Sequence, residues 1–120
     1  MFAFLKPKPA TPRINPSDAI AQVKAGTLTL IDVREASELH QTGKARGALH
    51  VPLSQIAEAS NPASGHFNRK LSPKKPVALY CASGARSDRA AKLMAANGFA
   101  EIYNLGSLQD WKLSGGQITR

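Results

Sequence analysis

The segment from residue 77 to residue 94 contains the residue types best suited to covalent chemistry. The apolar run 77–80 predicts a buried strand, and Cys81, the only cysteine of the chain, follows it directly. A short loop containing Gly84 then leads through Arg86 into an Ala-rich helix. Ligand sites in open α/β sheets form beyond the carboxyl ends of the strands. The pattern therefore predicts that Cys81 lies at a functional site.

The loop after Cys81 also predicts an environment that stabilises a sulfur anion. A tight turn into a helix directs several backbone N–H groups toward one point, and a helix N-terminus carries about half a positive charge. Arg86 would add a full charge. We therefore expect the pKa of Cys81 to lie below the ordinary thiol value of about 8.5, and the same donors to hold the outer sulfur of a persulfide. The alternative is a structural role, since free cysteine is among the most buried residue types.

The rest of the chain predicts alternating helices and strands that would position this loop. Asn15 is the expected N-cap of the first helix, with Pro16 at its first position and Gly26 after its end. Residues 60–76, rich in Pro, Asn and Ser, predict an irregular connection. Helices are expected at 16–25, 35–42, 54–59, 86–98 and 108–113, and strands at 28–33, 48–51, 77–80 and 102–105. This order predicts an α/β fold with a central parallel sheet of about five strands and helices on both faces.

The length of 120 residues accommodates one compact domain. Residues 1–14 are expected to form an extended arm rich in Pro and Lys, because proline alternates with charged residues there. The domain itself is expected to span residues 15–113. Residues 114–120 would then form a C-terminal tail.

Several classes of protein are excluded by composition. A single cysteine allows no internal disulfide and no metal site built from cysteine pairs. The three histidines are far apart in the sequence, so we expect neither a metal nor a cofactor. No stretch approaches the roughly 18 apolar residues of a membrane span. The apolar start at residues 1–5 is too short for a signal peptide, which predicts a cytoplasmic location.

The chain is strongly basic, with a formal net charge of +8. Such a surface attracts small anions, acidic proteins or nucleic acid, although it also serves solubility alone. The basic runs lie in proline-rich segments with few aromatic residues, which disfavours a nucleic-acid groove with stacking platforms. We therefore expect a small anionic partner, with an acidic protein as a further candidate.

Three motifs in order resemble those of the rhodanese family, and together they extend over about residues 15–113. The first comprises Leu-Ile-Asp-Val-Arg-Glu at 30–35 with Gly-Lys-Ala-Arg-Gly-Ala-Leu-His-Val-Pro at 43–52. The second is Tyr-Cys-Ala-Ser-Gly-Ala-Arg-Ser at 80–87, and the third is Tyr-Asn-Leu-Gly-Ser-Leu-Gln-Asp-Trp at 103–111. The resemblance implies an α/β fold and ping-pong sulfur transfer. A thiolate takes a sulfane sulfur from a donor such as thiosulfate, then passes it to cyanide or a thiol.

The resemblance assigns roles residue by residue. Cys81 matches the nucleophile, and Ser87 is expected to support the loop beside it. The positions that match the sulfur-cradling loop are Ala82, Ser83, Gly84, Ala85 and Arg86. Related cell-cycle phosphatases have five residues between cysteine and arginine, whereas this chain has four, so the narrower loop favours one sulfur atom over a phosphate.

The chain also departs from the family pattern. Ala82 and Ser83 stand where the two-domain thiosulfate enzymes have cations, which weakens the case for thiosulfate as the physiological donor. Gly106-Ser107 replaces the usual glycine pair, so the rim of the pocket is expected to differ there. Because there is no second cysteine, the acceptor must be an external thiol or cyanide.

Asp32 is expected at the end of its strand, where the family's aspartate helps to hold the active-site loop with Arg86 as its partner. The alternative makes Asp32 only a cap for the following helix. Arg34 and Glu35 are expected to pair with each other or with neighbouring elements. The roles of three other residues are open: Arg89 could extend the positive field or be solvated, His50 is expected to be structural, and Trp111 could belong to the core or to a pocket wall.

Three hypotheses follow for function. The first is an enzyme, a sulfurtransferase that works through a Cys81 persulfide. The second is a binding module that docks a protein through basic loops, in which the cysteine is incidental. The third is binding of a polyanion such as RNA by the basic surface.

Overall fold

The computed structural model describes residues 10–120, which contain five helices and six strands. The helices are α1 (Pro16–Ala25), α2 (Ala36–Thr42), α3 (Leu53–Ala59), α4 (Ala85–Ala96) and α5 (Leu108–Leu113). The strands are β1 (Thr29–Asp32), β2 (Lys44–Ala45), β3 (Leu49–His50), β4 (Val77–Cys81), β5 (Ile102–Ser107) and β6 (Ile118–Thr119). Every helix and strand predicted from the sequence is present, with small shifts of its ends.

The central sheet is parallel and has the strand order β3-β1-β4-β5. The predicted α/β fold is thus confirmed, although in the described residues this sheet has four strands rather than about five. The register between β4 and β5 shifts by one residue after Leu79. Leu79 pairs with Asn104, and the next residue, Tyr80, pairs with Gly106. Bulges of this kind bend a strand next to functional sites. This one lies beside Cys81.

Two apolar cores confirm that helices cover both faces of the sheet. Ile31 and Leu79 face one core with Met94 of α4. The neighbouring Leu30 faces the other core with Trp111 of α5. Successive residues of β1 thus point to opposite faces, and both faces are apolar, as expected for a buried parallel strand.

Local signals explain where the helices begin and end. The Asn15 side chain accepts a hydrogen bond from the Ser17 N–H at 2.8 Å, and Pro16 occupies the first turn, as predicted. Gly26 ends α1 with φ of 80°, a conformation that favours glycine. In α4 the buried face comprises Ser87, Ala90, Ala91 and Met94, which follow the i, i+3, i+4, i+7 spacing. Leu93 lies outside this face and is 40% exposed.

Both ends of the described chain pack against the domain. Residues 114–120, predicted as a tail, include β6, which pairs antiparallel with β2. Neither β2 nor β6 was predicted, because two residues flanked by turns are too few to show a hydrophobic period. Of the predicted arm, residues 1–9 lie outside the described part, and Arg13 forms a parallel bridge with Asn104 at the edge of the sheet.

Residues 60–76 contain no helix or strand, as predicted, but Leu71 anchors them in the core at 3% exposure. The longest helix of residues 10–120 has 12 residues, and none is long and apolar enough to cross a membrane.

A buried ion pair at the carboxyl end of β1 joins several elements. Asp32 is 0% exposed and pairs with Arg34 at 2.8 Å. The Tyr80 hydroxyl donates to Asp32 Oδ2 at 2.6 Å and accepts the Ala45 N–H at 2.9 Å. Burial and the neighbouring carboxylate raise the pKa of Tyr80, so the phenol stays neutral and keeps its proton for Asp32. Strands β1, β2 and β4 are held together through these contacts.

Replacing Tyr80 by Phe tests this network. The change would leave the buried Ala45 N–H without a partner and remove one of the hydrogen bonds to Asp32 Oδ2, which keeps those from Arg34. The loss costs about 1–3 kcal/mol of unfolding free energy. Urea unfolding measures the loss as a lower midpoint at an unchanged slope. The matched control is Tyr103→Phe, because that hydroxyl donates only to exposed Glu101. The control should stay within about 0.5 kcal/mol of the parent. Equal stability of the two variants would contradict this account of the network.

Candidate active site

Cys81 is the last residue of β4, and its sulfur lies in a cup formed by the loop that follows. The Gly84 N–H donates to Cys81 Sγ at 3.0 Å, and Ser87 Oγ lies 3.5 Å from the same sulfur. Gly84 has φ of 98°, and this left-handed conformation turns the chain into α4 within a single tight loop. The N-terminus of α4 therefore points toward the sulfur, as the sequence predicted.

The pKa of Cys81 is lowered from its ordinary value, in the predicted direction. Burial alone would raise it, since Cys81 is 0% exposed. Hydrogen bonds outweigh burial: the Ser87 hydroxyl and the backbone N–H groups of Ser87, Ser83 and Gly84 all favour the thiolate. The largest stabilising contributions come from dipoles around the sulfur, and the Arg86 charge also interacts with the thiolate.

Asn104 holds the cysteine loop from β5, and the sequence reasoning did not single it out. Its Nδ2 donates to the Gly84 carbonyl at 2.9 Å, its Oδ1 accepts the Gly106 N–H at 2.9 Å, and the same Oδ1 lies 2.8 Å from Ser87 Oγ. The one signal in the sequence that could have identified Asn104 was the position of a polar amide within an apolar strand, just before Leu105. A polar side chain there must find buried partners, and it finds them in the loop.

The backbone of Asn104 is in turn bound by the N-terminal segment. The Asn104 N–H donates to the Pro12 carbonyl at 2.8 Å, and the Thr11 N–H donates to Asp88 of α4 at 2.8 Å. The Arg13 guanidinium lies against Gly106, whose φ of 99° and lack of Cβ leave room for it. Residues 11–13 thus brace both β5 and the first turns of α4.

The second position of the usual glycine pair has its own role in this chain. Ser107 is the N-cap of α5: its Oγ accepts the Asp110 N–H at 3.1 Å, and Asp110 Oδ2 accepts the Ser107 N–H at 3.1 Å. A glycine at this position would leave the backbone flexible, whereas the capping box of Ser107 and Asp110 holds the first turn of α5 in one conformation. The rim of the pocket was expected to differ at Gly106-Ser107 from the family pattern, and the difference is a turn held by hydrogen bonds of Ser107.

The predicted ion pair between Asp32 and Arg86 is wrong. Both Asp32 oxygens are already bound by Arg34 and Tyr80, which leaves no site for a second guanidinium. Arg86 instead donates to both oxygens of Glu38, each at 2.8 Å. The local sequence could not show this, because Glu38 reaches the loop only through the packing of α2.

The alternative role for Asp32, a cap for the following helix, is also wrong. The N-cap of α2 is Glu35, and Glu38 Oε2 accepts its N–H at 2.8 Å. Asp32 Oδ1 instead accepts the Arg34 N–H at 2.9 Å, within the turn that precedes the helix. The suggested pairing of Arg34 with Glu35 is not made either, since the Arg34 guanidinium contacts Asp32, Thr42 and the Gly43 carbonyl.

Comparison with known proteins agrees with this geometry. A family model described as Rhodanese-like domain matches residues 15–114. The chain belongs to the rhodanese-like family. The resemblance inferred from the three sequence motifs is thereby confirmed.

Two relatives of known sequence show how far the similarity extends along the chain. The uncharacterized protein YqhL of Bacillus subtilis is 42% identical over 90 residues, which make up 74% of this chain and 62% of YqhL. The chain thus spans less than two thirds of that relative. The thiosulfate sulfurtransferase GlpE of Coxiella burnetii is 29% identical over 101 residues, 83% of this chain and 86% of GlpE.

A solved structure from Rhodopseudomonas palustris superposes with a TM-score of 0.80 at 27% identity, covering 91% of this chain and 85% of that one. That protein is described as having unknown function and as a possible tyrosine phosphatase. The similarity extends over nearly the whole described fold.

The remaining residues considered from the sequence have structural or solvent-exposed positions in the rhodanese-like fold. His50 Nε2 hydrogen-bonds with the Arg34 carbonyl at 2.7 Å, which confirms its structural role. Trp111 is 3% exposed in the core and donates to the Gln117 carbonyl at 2.8 Å. Arg89 is exposed.

A cavity of about 580 Å³ lies between α1 and α5, and Trp111 forms part of its wall. Trp111 therefore lines this cavity and does not line a pocket at Cys81. None of the residues that line this cavity belongs to the loop 81–87; they are Ile20, Val23, Lys24, Arg46, Gly47, Trp111, Gly115 and Gln117.

Replacing Ser87 by Ala tests the origin of the thiolate stabilisation. The Ser87 hydroxyl lowers the pKa of Cys81, so its loss should move the alkylation-rate profile of the thiol toward higher pH. The rate of iodoacetamide modification is measured from acid to alkaline pH. Ser83→Ala is the matched control, because only the backbone N–H of Ser83 acts on the sulfur. If the alkylation-rate profile of the Ser87 variant does not move, the backbone N–H groups at the helix N-terminus are sufficient to lower the pKa of Cys81.

Proposed function

We propose that this protein is a sulfurtransferase in which Cys81 carries a sulfane sulfur from a small donor to a thiophilic acceptor. The observation that carries the proposal is the binding of Cys81 Sγ by the Gly84 N–H and the Ser87 hydroxyl, at the start of α4. A family member with a thiolate stabilised in this way has both the nucleophile and the site for a sulfur anion. The named sulfurtransferase GlpE, a relative over 83% of the chain, supports the same activity.

The proposed reaction has two transfers. With thiosulfate as donor, the Cys81 thiolate attacks the outer sulfur, the S–S bond breaks, and sulfite leaves with the bonding electron pair. The product is a Cys81 persulfide with one negative charge on its outer sulfur. Cyanide or an external thiolate then attacks that outer sulfur, and Cys81 leaves as thiolate. No net oxidation or reduction of the enzyme occurs, and no cofactor is required.

The cysteine loop is the proposed cradle for the outer sulfur. Its four intervening residues, 82–85, form a narrow turn whose N–H groups converge on one atom. A phosphate presents several oxygens and needs a wider ring of donors. We therefore favour sulfur transfer over the phosphatase activity suggested for the structural relative from Rhodopseudomonas palustris.

Access to the sulfur is consistent with small substrates. Cys81 is 0% exposed, while Ala82, Ser83 and Ala85 of the surrounding loop are exposed. These side chains are small, so a slight opening of the loop would expose the sulfur to a donor of a few atoms. A large substrate would require the loop to unfold. The cytoplasmic location and the acidic protein partner expected from the sequence stay predictions.

The decisive experiment is intact-mass analysis after treatment with sulfane donors. The protein should gain the mass of one sulfur atom, and cyanide should remove it with release of thiocyanate. Cys81→Ser is the control and should gain nothing. If several donors, thiosulfate among them, never produce the adduct, the proposal fails. In that case, partner binding that survives Cys81→Ala would favour the binding module.

A further inference from the structure

Glu38 and Arg86 form a closed ion pair at the edge of the cysteine loop. Arg86 Nη1 and Nη2 donate to the two Glu38 oxygens, each at 2.8 Å, in a bidentate arrangement. The side chains are 31% and 30% exposed, so solvent screens the pair only in part. Bidentate pairs are the strongest and most directional of the arginine contacts.

Glu38 is fixed on α2 as well as by Arg86. Its Oε2 accepts the Glu35 N–H at 2.8 Å, which ties the carboxylate to the start of its own helix. The Arg86 hydrogen bonds, assisted by the Glu35 N–H, lower the pKa of Glu38 to about 2 despite partial burial. The carboxylate therefore stays ionised at neutral pH and occupies the guanidinium continuously.

This pairing removes the only formal charge from the cysteine loop. Residues 82–85 are Ala, Ser, Gly and Ala, so Arg86 is the one charged residue of the segment. With Glu38 attached, the formal charge of the loop and its partner is zero. Two further cations lie near the loop but are not part of it. The Arg13 guanidinium lies beside Gly84 and Gly106 and 4.0 Å from Asp110, and Arg89 is exposed on the next turn of α4.

We propose that Glu38 is a specificity-determining residue that holds Arg86 away from anionic donors and makes the site select donors with a single negative charge. The preferred class would be organic thiosulfonates and organic persulfides rather than the thiosulfate dianion. This inference rests on the proposed sulfurtransferase function. Each preferred donor transfers its outer sulfur to the Cys81 thiolate, and a sulfinate or a thiolate departs with the electron pair of the broken S–S bond.

The test compares two donors that differ by one unit of charge. Methanethiosulfonate has the same S–S bond as thiosulfate but a methyl group in place of one anionic oxygen. In Glu38→Gln the amide oxygen can still accept the Glu35 N–H, while Arg86 loses its counter-charge. The ratio of kcat/KM for thiosulfate to that for methanethiosulfonate should rise roughly fivefold, the size of one partly exposed charge pair.

Salt dependence separates this role from a structural one. In Glu38→Gln, kcat/KM for thiosulfate should fall steeply as ionic strength rises, because the new contact is between exposed charges. The double variant Glu38→Gln with Arg86→Gln should lose the gain, which assigns it to Arg86. Glu35→Gln is the matched control, since it removes the same charge from the start of the same helix without breaking a hydrogen bond to Arg86. Its donor ratio should change much less than that of Glu38→Gln.

The outcomes distinguish the two proposals. If neither donor produces the persulfide mass in any variant, the sulfurtransferase function itself fails. If the persulfide forms but the donor ratio of Glu38→Gln is unchanged, Glu38 does not determine specificity. Partial unfolding of the variant would lower both rates together and leave their ratio unaltered, so it cannot imitate the expected result.

Discussion

The buried carboxylate of Asp32 is the constraint on which the other contacts at this end of the sheet depend. A charge without exposure is tolerated only when every oxygen has a partner, and Asp32 is saturated by Arg34 and Tyr80. Arg34 then binds Thr42 and the Gly43 carbonyl, which fixes the end of α2. Because Tyr80 directly precedes the cysteine, satisfying this one charge sets the position from which the cysteine loop starts. The network thus couples an energetic requirement of the core to the geometry of the site.

Because the hydrogen bonds to the Asp32 carboxylate are all made by Arg34 and Tyr80, this group also affects which charges lie near the Cys81 sulfur. Since Asp32 has no free oxygen, Arg86 pairs outside the core with Glu38, and the site contains an inner and an outer ion pair that are each neutral. The groups in direct contact with the Cys81 sulfur are N–H and O–H dipoles. These make the largest contributions to the lowered pKa of the thiol and add no net charge. The guanidinium of Arg86, whose charge also acts on the thiolate, is itself neutralised by Glu38.

Local sequence signals predicted the elements and the cysteine loop but not the partners of its side chains. The apolar run before Cys81, Gly84 and the Ala-rich segment each act over a few residues, so strand, turn and helix could be inferred directly. The strands β2 and β6 have two residues each and no period to detect. Asn104 and Glu38 acquire their roles only when β5 and α2 pack beside the loop. Asp32 was placed correctly at the strand end but given the wrong partner, because several arginines could satisfy it and only packing selects one.

A neutral cup of dipoles suits the charge that the proposed cycle has to stabilise. The thiolate and the persulfide each carry one negative charge at the sulfur position, and in the transfer step the charge of the anionic donor is added to it. Fixed N–H groups stabilise that charge without reorganising as the sulfur moves. An uncompensated cation at the same place would bind a dianionic donor and a released sulfite more tightly as well. Such uniform binding lowers KM without raising kcat, and it slows the departure of the product. In the proposed cycle, the pairing of Arg86 with Glu38 would therefore direct the available binding energy to the sulfur atom that is transferred.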